Sequence, residues 1–292
     1  MPTRALVLSL LVHVVVAADQ AGGPAALTTV LQRAGERVER YFARAQSLVC
    51  LEVMKLQPLT PGWASEGFGR TVESELRLAW APGSDGVPSA QAQTLRQVLR
   101  VNGHPPRKND WNNCTTPEQE SEEVQPISLL LPGNRSDYRF TSSGSTRFDG
   151  RAAISVDYEL LKEAQVDVHM VEGRDDCVSF NLEGGLRGRI LIDAETYDVL
   201  RLDQRLSGMV EIPLPKTATR RSGGPGSWTM ERWDTSIRFK PVSFLNPDET
   251  LVLPVSTTSI RITRGSGTPR LRTSTDYKHY QRFLTGARIV GD

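Results

Sequence analysis

A single change of period constrains this chain more than any other feature. Between residues 25 and 49, apolar side chains recur three and four apart, at Leu27, Val30, Leu31, Ala34, Val38, Tyr41, Phe42, Ala45 and Leu48. That spacing draws one stripe along a 3.6-residue helix. Arg33, Glu36, Arg37, Glu39, Arg40 and Arg44 fill the other faces. A helix with one apolar stripe has to lie on something apolar. From residue 50 onward the period falls to two. Glu73 to Trp80 alternates, as do Leu95 to Val101, Tyr138 to Phe140, Ala153 to Tyr158 and Val166 to Met170. Arg187 to Ile192 and Val199 to Asp203 flank the polar stretch Asp193 to Asp198 and predict a β-hairpin. Thr235–Phe239, Leu251–Val255, Ser259–Ile262 and Thr275–Tyr280 continue the pattern. Short alternating strands predict an antiparallel sheet with one wet face. The fold class is therefore mainly β, within α+β, packed by a long N-terminal amphipathic helix.

Ahead of the helix, Arg4 supplies a positive start, and Ala5 to Val16 is apolar except at Ser9 and His13. Val16-Ala17-Ala18 then offers the small side chains of a signal-peptidase site. Residues 1–18 are thus expected to be an export signal cut near Ala18, leaving 19–292 as one domain in the periplasm or outside the cell. The apolar run is too short for a bilayer span, which needs about 20 residues, and no later segment is apolar for long enough. Cleavage removes one arginine from a chain with 35 basic and 34 acidic residues, so the charges balance. Nucleic acid is therefore not an expected partner. Residues 81–93, 102–126 and 214–228 are expected as long loops, and Ile127 to Leu131 as a short apolar block that is either a core plug or a lid.

An exported chain permits disulfides. Cys114 and Cys177 both follow polar clusters, whereas Cys50 sits among apolar residues. Cys114–Cys177 is the favoured disulfide candidate with Cys50 a buried free thiol, but three pairings are open. Recognisable catalytic signals are absent: there is no Gly-x-Ser-x-Gly, Ser-x-x-Lys, His-Glu-x-x-His or Gly-x-x-x-x-Gly-Lys pattern. No Cys/His spacing suggests a metal, and no cofactor is expected. His169 shares a strand face with Asp167, with Asp175 and Asp176 a turn later, and is the leading candidate for acid–base chemistry, beside the carboxylate pair Asp157 and Glu159. Asp193 and Glu195 read as turn residues. Of the five tryptophans, Trp63, Trp111 and Trp228 fall in or beside loops.

The hairpin Gly-Arg-Ile-Leu-Ile-Asp-Ala-Glu-Thr-Tyr-Asp-Val-Leu-Arg-Leu at 188–202 and the closing strand Tyr-Lys-His-Tyr-Gln-Arg-Phe at 277–283 resemble the LolA/LolB-like superfamily of periplasmic lipoprotein carriers, and more closely a set of exported bacterial proteins of that shape. The resemblance implies one curved antiparallel sheet or incomplete β-barrel whose concave face, capped by helices, shelters acyl chains. It spans residues 25–285 in outline, and its specific part is the hairpin and the final strand. The loops are longer than a carrier's, and no single arginine here matches a carrier's lid latch. Two functions follow. One is a non-enzymatic carrier of an apolar ligand or lipoprotein, with Leu31, Val38 and Phe42 on the helix and Leu129, Leu130 and Leu131 in the block as cavity or lid candidates. The other is a structural or protein-interaction module of the envelope with a filled core.

Overall fold

The computed structural model describes residues 24–45, 47–82, 88–113, 118–171, 174–216, 226–245 and 247–282. The expected signal at 1–18 lies outside them. Helix α1 (Pro24–Arg44) comes first. Then follow β1 (Ser47–Pro58), β2 (Arg70–Pro82), β3 (Pro88–Val101), β4 (Glu118–Val124), β5 (Tyr138–Phe148), β6 (Arg151–Leu160), β7 (Gln165–Val171), β8 (Arg174–Glu183), β9 (Leu186–Asp193), β10 (Val199–Leu206), β11 (Val210–Pro213), β12 (Ser227–Leu245), β13 (Asp248–Arg264) and β14 (Arg270–Arg282). One antiparallel sheet runs in the order β4-β3-β2-β1-β14-β13-β12-β10-β9-β6-β5, with β11 added on β12. It does not close on itself. The hairpin β7–β8 stands apart from it.

The sheet has to curl around the helix. Trp80 and Leu76 of β2 share one core cluster with Val156 and Tyr158 of β6, seven strand steps away in the sheet order. In a flat sheet those strands would stand roughly 34 Å apart, whereas a helix with its side chains is only about 10–12 Å wide. The stripe that meets them is the one read from the sequence: Val30, Leu31, Ala34, Val38, Tyr41, Phe42 and Ala45 are all buried. A short 3-10 turn, Pro126–Leu130, closes the helix's other flank and buries Ile127, Leu129 and Leu130. A second cluster, Leu206, Val210, Ile212 and Met230, lies under the β7–β8 hairpin.

Several expectations are corrected. The helix ends at Arg44 rather than 49, because Ser47 to Cys50 pairs with β2 and Leu48 and Cys50 point inward with a strand's alternation. Leu48 fits both the three/four and the two-residue spacing, so periodicity alone could not separate them. The expected loop 81–93 is strand from Pro88 onward, and the interval 102–126 holds a 3-10 turn at Lys108–Asn113 and edge strand β4. Charged residues on an edge strand blunt pairing with other chains, which is why β4 reads as loop. The segments 251–255 and 259–262 belong to one strand, β13. β12 starts at Ser227, inside the expected loop 214–228, of which 217–225 lie outside the described residues. β8 and β11 were not anticipated.

Gly188, which opens the diagnostic hairpin, has a packing reason. A Cβ there would sit 1.9 Å from the Asp203 carbonyl oxygen and 2.7 Å from Tyr158 Oη. The Tyr158 ring lies over the glycine so that its hydroxyl can donate to Asp203 O at 3.2 Å. Gly188→Ala is expected to cost about 3 kcal/mol, read as a fall in the urea midpoint. An unchanged midpoint would show that the Asp203 carbonyl and the tyrosine both give way without cost.

Candidate functional site

All six cavity or lid candidates come together. Leu31, Val38 and Phe42 of α1 and Leu129, Leu130 and Leu131 of the turn belong to one cluster with the inner face of the sheet. They are between 0 and 9% exposed, so they fill the concavity. Gly35 brings the helix and the turn close: a Cβ there would meet Leu130 O at 2.7 Å. Arg135 crosses the same contact and donates from Nε to Leu130 O at 2.9 Å.

Beside the filled region a cleft of about 280 Å³ opens between α1 and the ends of β12 and β13. Its apolar lining is Val38, Tyr41, Ile127, Val199, Phe239 and Leu251. Its rim is cationic, formed by Arg37, Arg40, Arg44 and Arg151. Two of these are engaged. Arg37 donates to Thr196 O at 2.7 Å and pairs with Asp198 at 3.5 Å. Arg151 pairs with Asp193 at 2.8 Å. Arg40 bonds only a backbone carbonyl of its own helix, Glu36 O at 3.1 Å, and Arg44 has no ion pair among the described residues. The sequence reading placed these arginines on the helix's polar faces, but the sheet residues that make them a rim are some two hundred positions away.

The hairpin turn fixes that rim. Asp193 Oδ1 accepts the N–H groups of Glu195 at 3.0 Å and Thr196 at 2.8 Å. Burial pushes the Asp193 pKa up, but these backbone donors and Arg151 outweigh it, and the net shift is downward. Asp193 and Glu195 are thus turn residues, as expected. The turn also holds Tyr197 at φ 62° beneath the Arg33 guanidinium, 4.9 Å from the ring centre.

At the helix's other end, Arg282 donates to Arg44 O at 2.7 Å, pairs with Glu249, and lies over the Phe244 ring. Tyr41, Phe42 and Trp80 form an edge-to-face trio with centroids 5.0–6.2 Å apart. Below it Glu52, buried on the inner face, pairs with Arg96 at 3.0 Å. No local pattern marks this pair, because its members are 44 residues apart.

The other sequence candidates do not converge. Asp167 is exposed on β7, and the His169 side chain lies outside the described residues. His279 is exposed and His104 sits in a loop. Among the described residues no three His, Cys, Asp or Glu side chains come together as a metal group, and no helix is long and apolar enough to cross a membrane. Trp63 is largely exposed under the Arg232 guanidinium, while Trp228 and Trp233 pack on the second cluster. Cys114 and the Cys177 side chain lie outside the described residues, and with them the Cys114–Cys177 pairing.

No family model matches the chain, and no curated protein matches it. Solved structures are similar in fold. A domain assigned as an outer membrane lipoprotein-sorting protein from Vibrio parahaemolyticus has a TM-score of 0.44 at 9% identity, over 88% of this chain and 94% of that one. A DUF1329-family protein from Desulfovibrio piger gives 0.43 at 10% identity, over 89% and 94%. A LolA-superfamily protein from Nitrosomonas europaea gives 0.37 at 6% identity, over 91% and 97%. At identities of 6–10% and TM-scores of 0.37–0.44 these likenesses carry no family and no role over to this chain.

Cys50 is free and buried. Burial, and then the neighbouring Glu52 charge, push its thiol up to about 12. The folded state therefore keeps a proton that the unfolded chain releases above about pH 8.5. Its contribution is whole below that pH and declines as pH rises toward 12. In a variant with Cys114 and Cys177 replaced by Ser, iodoacetamide at pH 8 should leave native Cys50 unmodified and label it in urea. The native thiolate fraction is about one in ten thousand, so rapid native labelling would contradict this burial.

Proposed function

We propose that the protein is a non-enzymatic carrier that holds the apolar tail of an anionic amphiphile, an acyl chain of a lipid or lipoprotein, in the bacterial envelope. The observation that carries this reading is the cleft beneath α1, whose apolar floor is rimmed by Arg40 and Arg44, which have no carboxylate partners among the described residues. Burial of the tail supplies about 0.8 kcal/mol per methylene, and the rim favours an acidic end. Arg44 also sits in the last turn of the helix, where a cation complements the backbone dipole. The volume of about 280 Å³ lies at the low end of the range for ligand pockets. It suits one chain end, and a larger cargo would require α1 to move away from the sheet. Export through the signal at 1–18 and a periplasmic place of work belong to the same reading.

The filled concavity favours a second reading, a protein-interaction module of the envelope. There the helix is a permanent part of the core, and the surface makes the contacts.

Native mass spectrometry of protein purified without detergent separates the two. Under the first reading a lipid or acylated peptide co-purifies, and a fluorescent fatty acid binds. Val199→Trp, which fills the cleft, should abolish that binding while the fold persists by circular dichroism. Arg40→Glu with Arg44→Glu should weaken a fatty acid about tenfold and leave the matching alcohol unchanged. A bare mass together with no uptake would sink the carrier and leave the interaction module.

A further inference from the structure

Beside the second cluster stands an arginine with no counter-ion among the described residues. Leu206, Val210, Ile212 and Met230 are buried there, with Val166, Val168, Phe180 and Leu182 of the β7–β8 hairpin packed against them. Arg261 stands at its margin on β13. Its cross-strand neighbours are Trp233 on β12 and Leu271 on β14. Residues directly opposite share a face of the sheet, so an indole and a leucine flank the guanidinium.

Elsewhere in the sheet, several arginines have carboxylates, among them the inner-face Arg96. Arg96 pairs with Glu52, Arg189 with Asp157, Arg201 with Asp203 and Arg264 with Glu231. Arg261 is half-buried and has no hydrogen bond or ion pair among the described residues. Loss of water around it is the sole cause pulling its pKa below the usual arginine value. A second polar group shares its position. Thr263, two residues along on the same face and opposite Met230, is 4% exposed, and its Oγ1 has no hydrogen-bond partner.

A charge withdrawn from water without a counter-ion is a net cost to folding, and an apolar residue of similar length would be cheaper. Sites that violate local stability in this way are expected where a ligand completes them. A planar guanidinium fork matches a carboxylate in two hydrogen bonds, and a neighbouring threonine hydroxyl adds a third donor.

We propose that Arg261 and Thr263 form an anion site on the inner face that takes the carboxylate of an apolar acid, with Trp233 and Leu271 against its hydrocarbon. This site is separate from the cleft under α1. Leu251, which lines the cleft, is ten residues from Arg261 on the same strand, roughly 33 Å away.

Thermal unfolding of Val199→Trp, in which the cleft is filled, and of Val199→Trp with Arg261→Met, each with octanoate, octanol or sulfate, tests the proposal. Octanoate is expected to raise the melting temperature of Val199→Trp by several degrees, and that of the double variant by none. Octanol and sulfate should leave both unchanged. Without any addition, the double variant should melt no lower than Val199→Trp. An octanoate shift that survives in the double variant overturns the site, as does an absent shift in Val199→Trp. A sulfate shift equal to that of octanoate overturns the assignment to an apolar acid. Because Val199→Trp disables the cleft and leaves Arg261 in place, failure of this site and failure of the cleft are read separately.

Discussion

Burial of one helical stripe organises this molecule. A single helix has to serve as the core partner for strands spread across most of an open sheet, and only a curled sheet can reach it from both sides. Tyr41 and Phe42 therefore meet Trp80 of β2 on one flank, while Arg37 reaches Thr196 of the β9–β10 turn on the other. Removing the helix would strip the inner face of its cover and leave a long apolar trough in water, which is unfavourable by about 25 cal/mol for each Å² exposed. The same arrangement makes the helix the natural boundary of any cavity, since space on the inner face exists only where the helix or the β7–β8 hairpin does not fill it.

Arginine does most of the tying between helix and sheet. Arg37, Arg33, Arg135 and Arg282 each cross from one element to another and end on a carbonyl, a ring or a carboxylate. Such contacts are individually weak at a surface. They act where the apolar stripe stops, satisfying backbone carbonyls that the curled sheet and the short 3-10 turn leave open. Arg40 and Arg44 lie on the same helix and lack carboxylate partners among the described residues, which marks the cleft rim as different from the structural ties around it.

The outer face shows how an antiparallel sheet stays in register once its inner face is filled. Asp157, Arg189 and Asp203 stand in one cross-strand row, and Arg189 grips Asp157 with two hydrogen bonds at 2.7 and 3.2 Å. That grip holds the Asp157 carboxyl below its usual range. Opposite charges placed side by side favour this register, and a one-residue slip would part them and turn the strand's side chains to the other face. On the inner face Glu52 holds Arg96, whereas Arg261 has no partner among the described residues.

The sequence by itself determined the element types. Its helical stripe, its period-two runs and the Asp193–Asp198 turn each state a local periodicity or a local hydrogen bond, and neighbours along the chain are enough to express those. It could not decide where the helix stopped, because Leu48 satisfies both periods until β2 and β14 claim its backbone. It hid β4, whose glutamates suit an edge as well as a loop. The six apolar site candidates were legible as buried residues, since hydrophobicity is local. That they fill the concavity and leave only a small cleft was decided by the tertiary structure. The arginine rim, the Glu52–Arg96 pair and the isolation of Arg261 were equally invisible. Each depends on which charges lie within a few ångströms, and residues 44 to over 200 positions apart are brought that close only by the curl of the sheet.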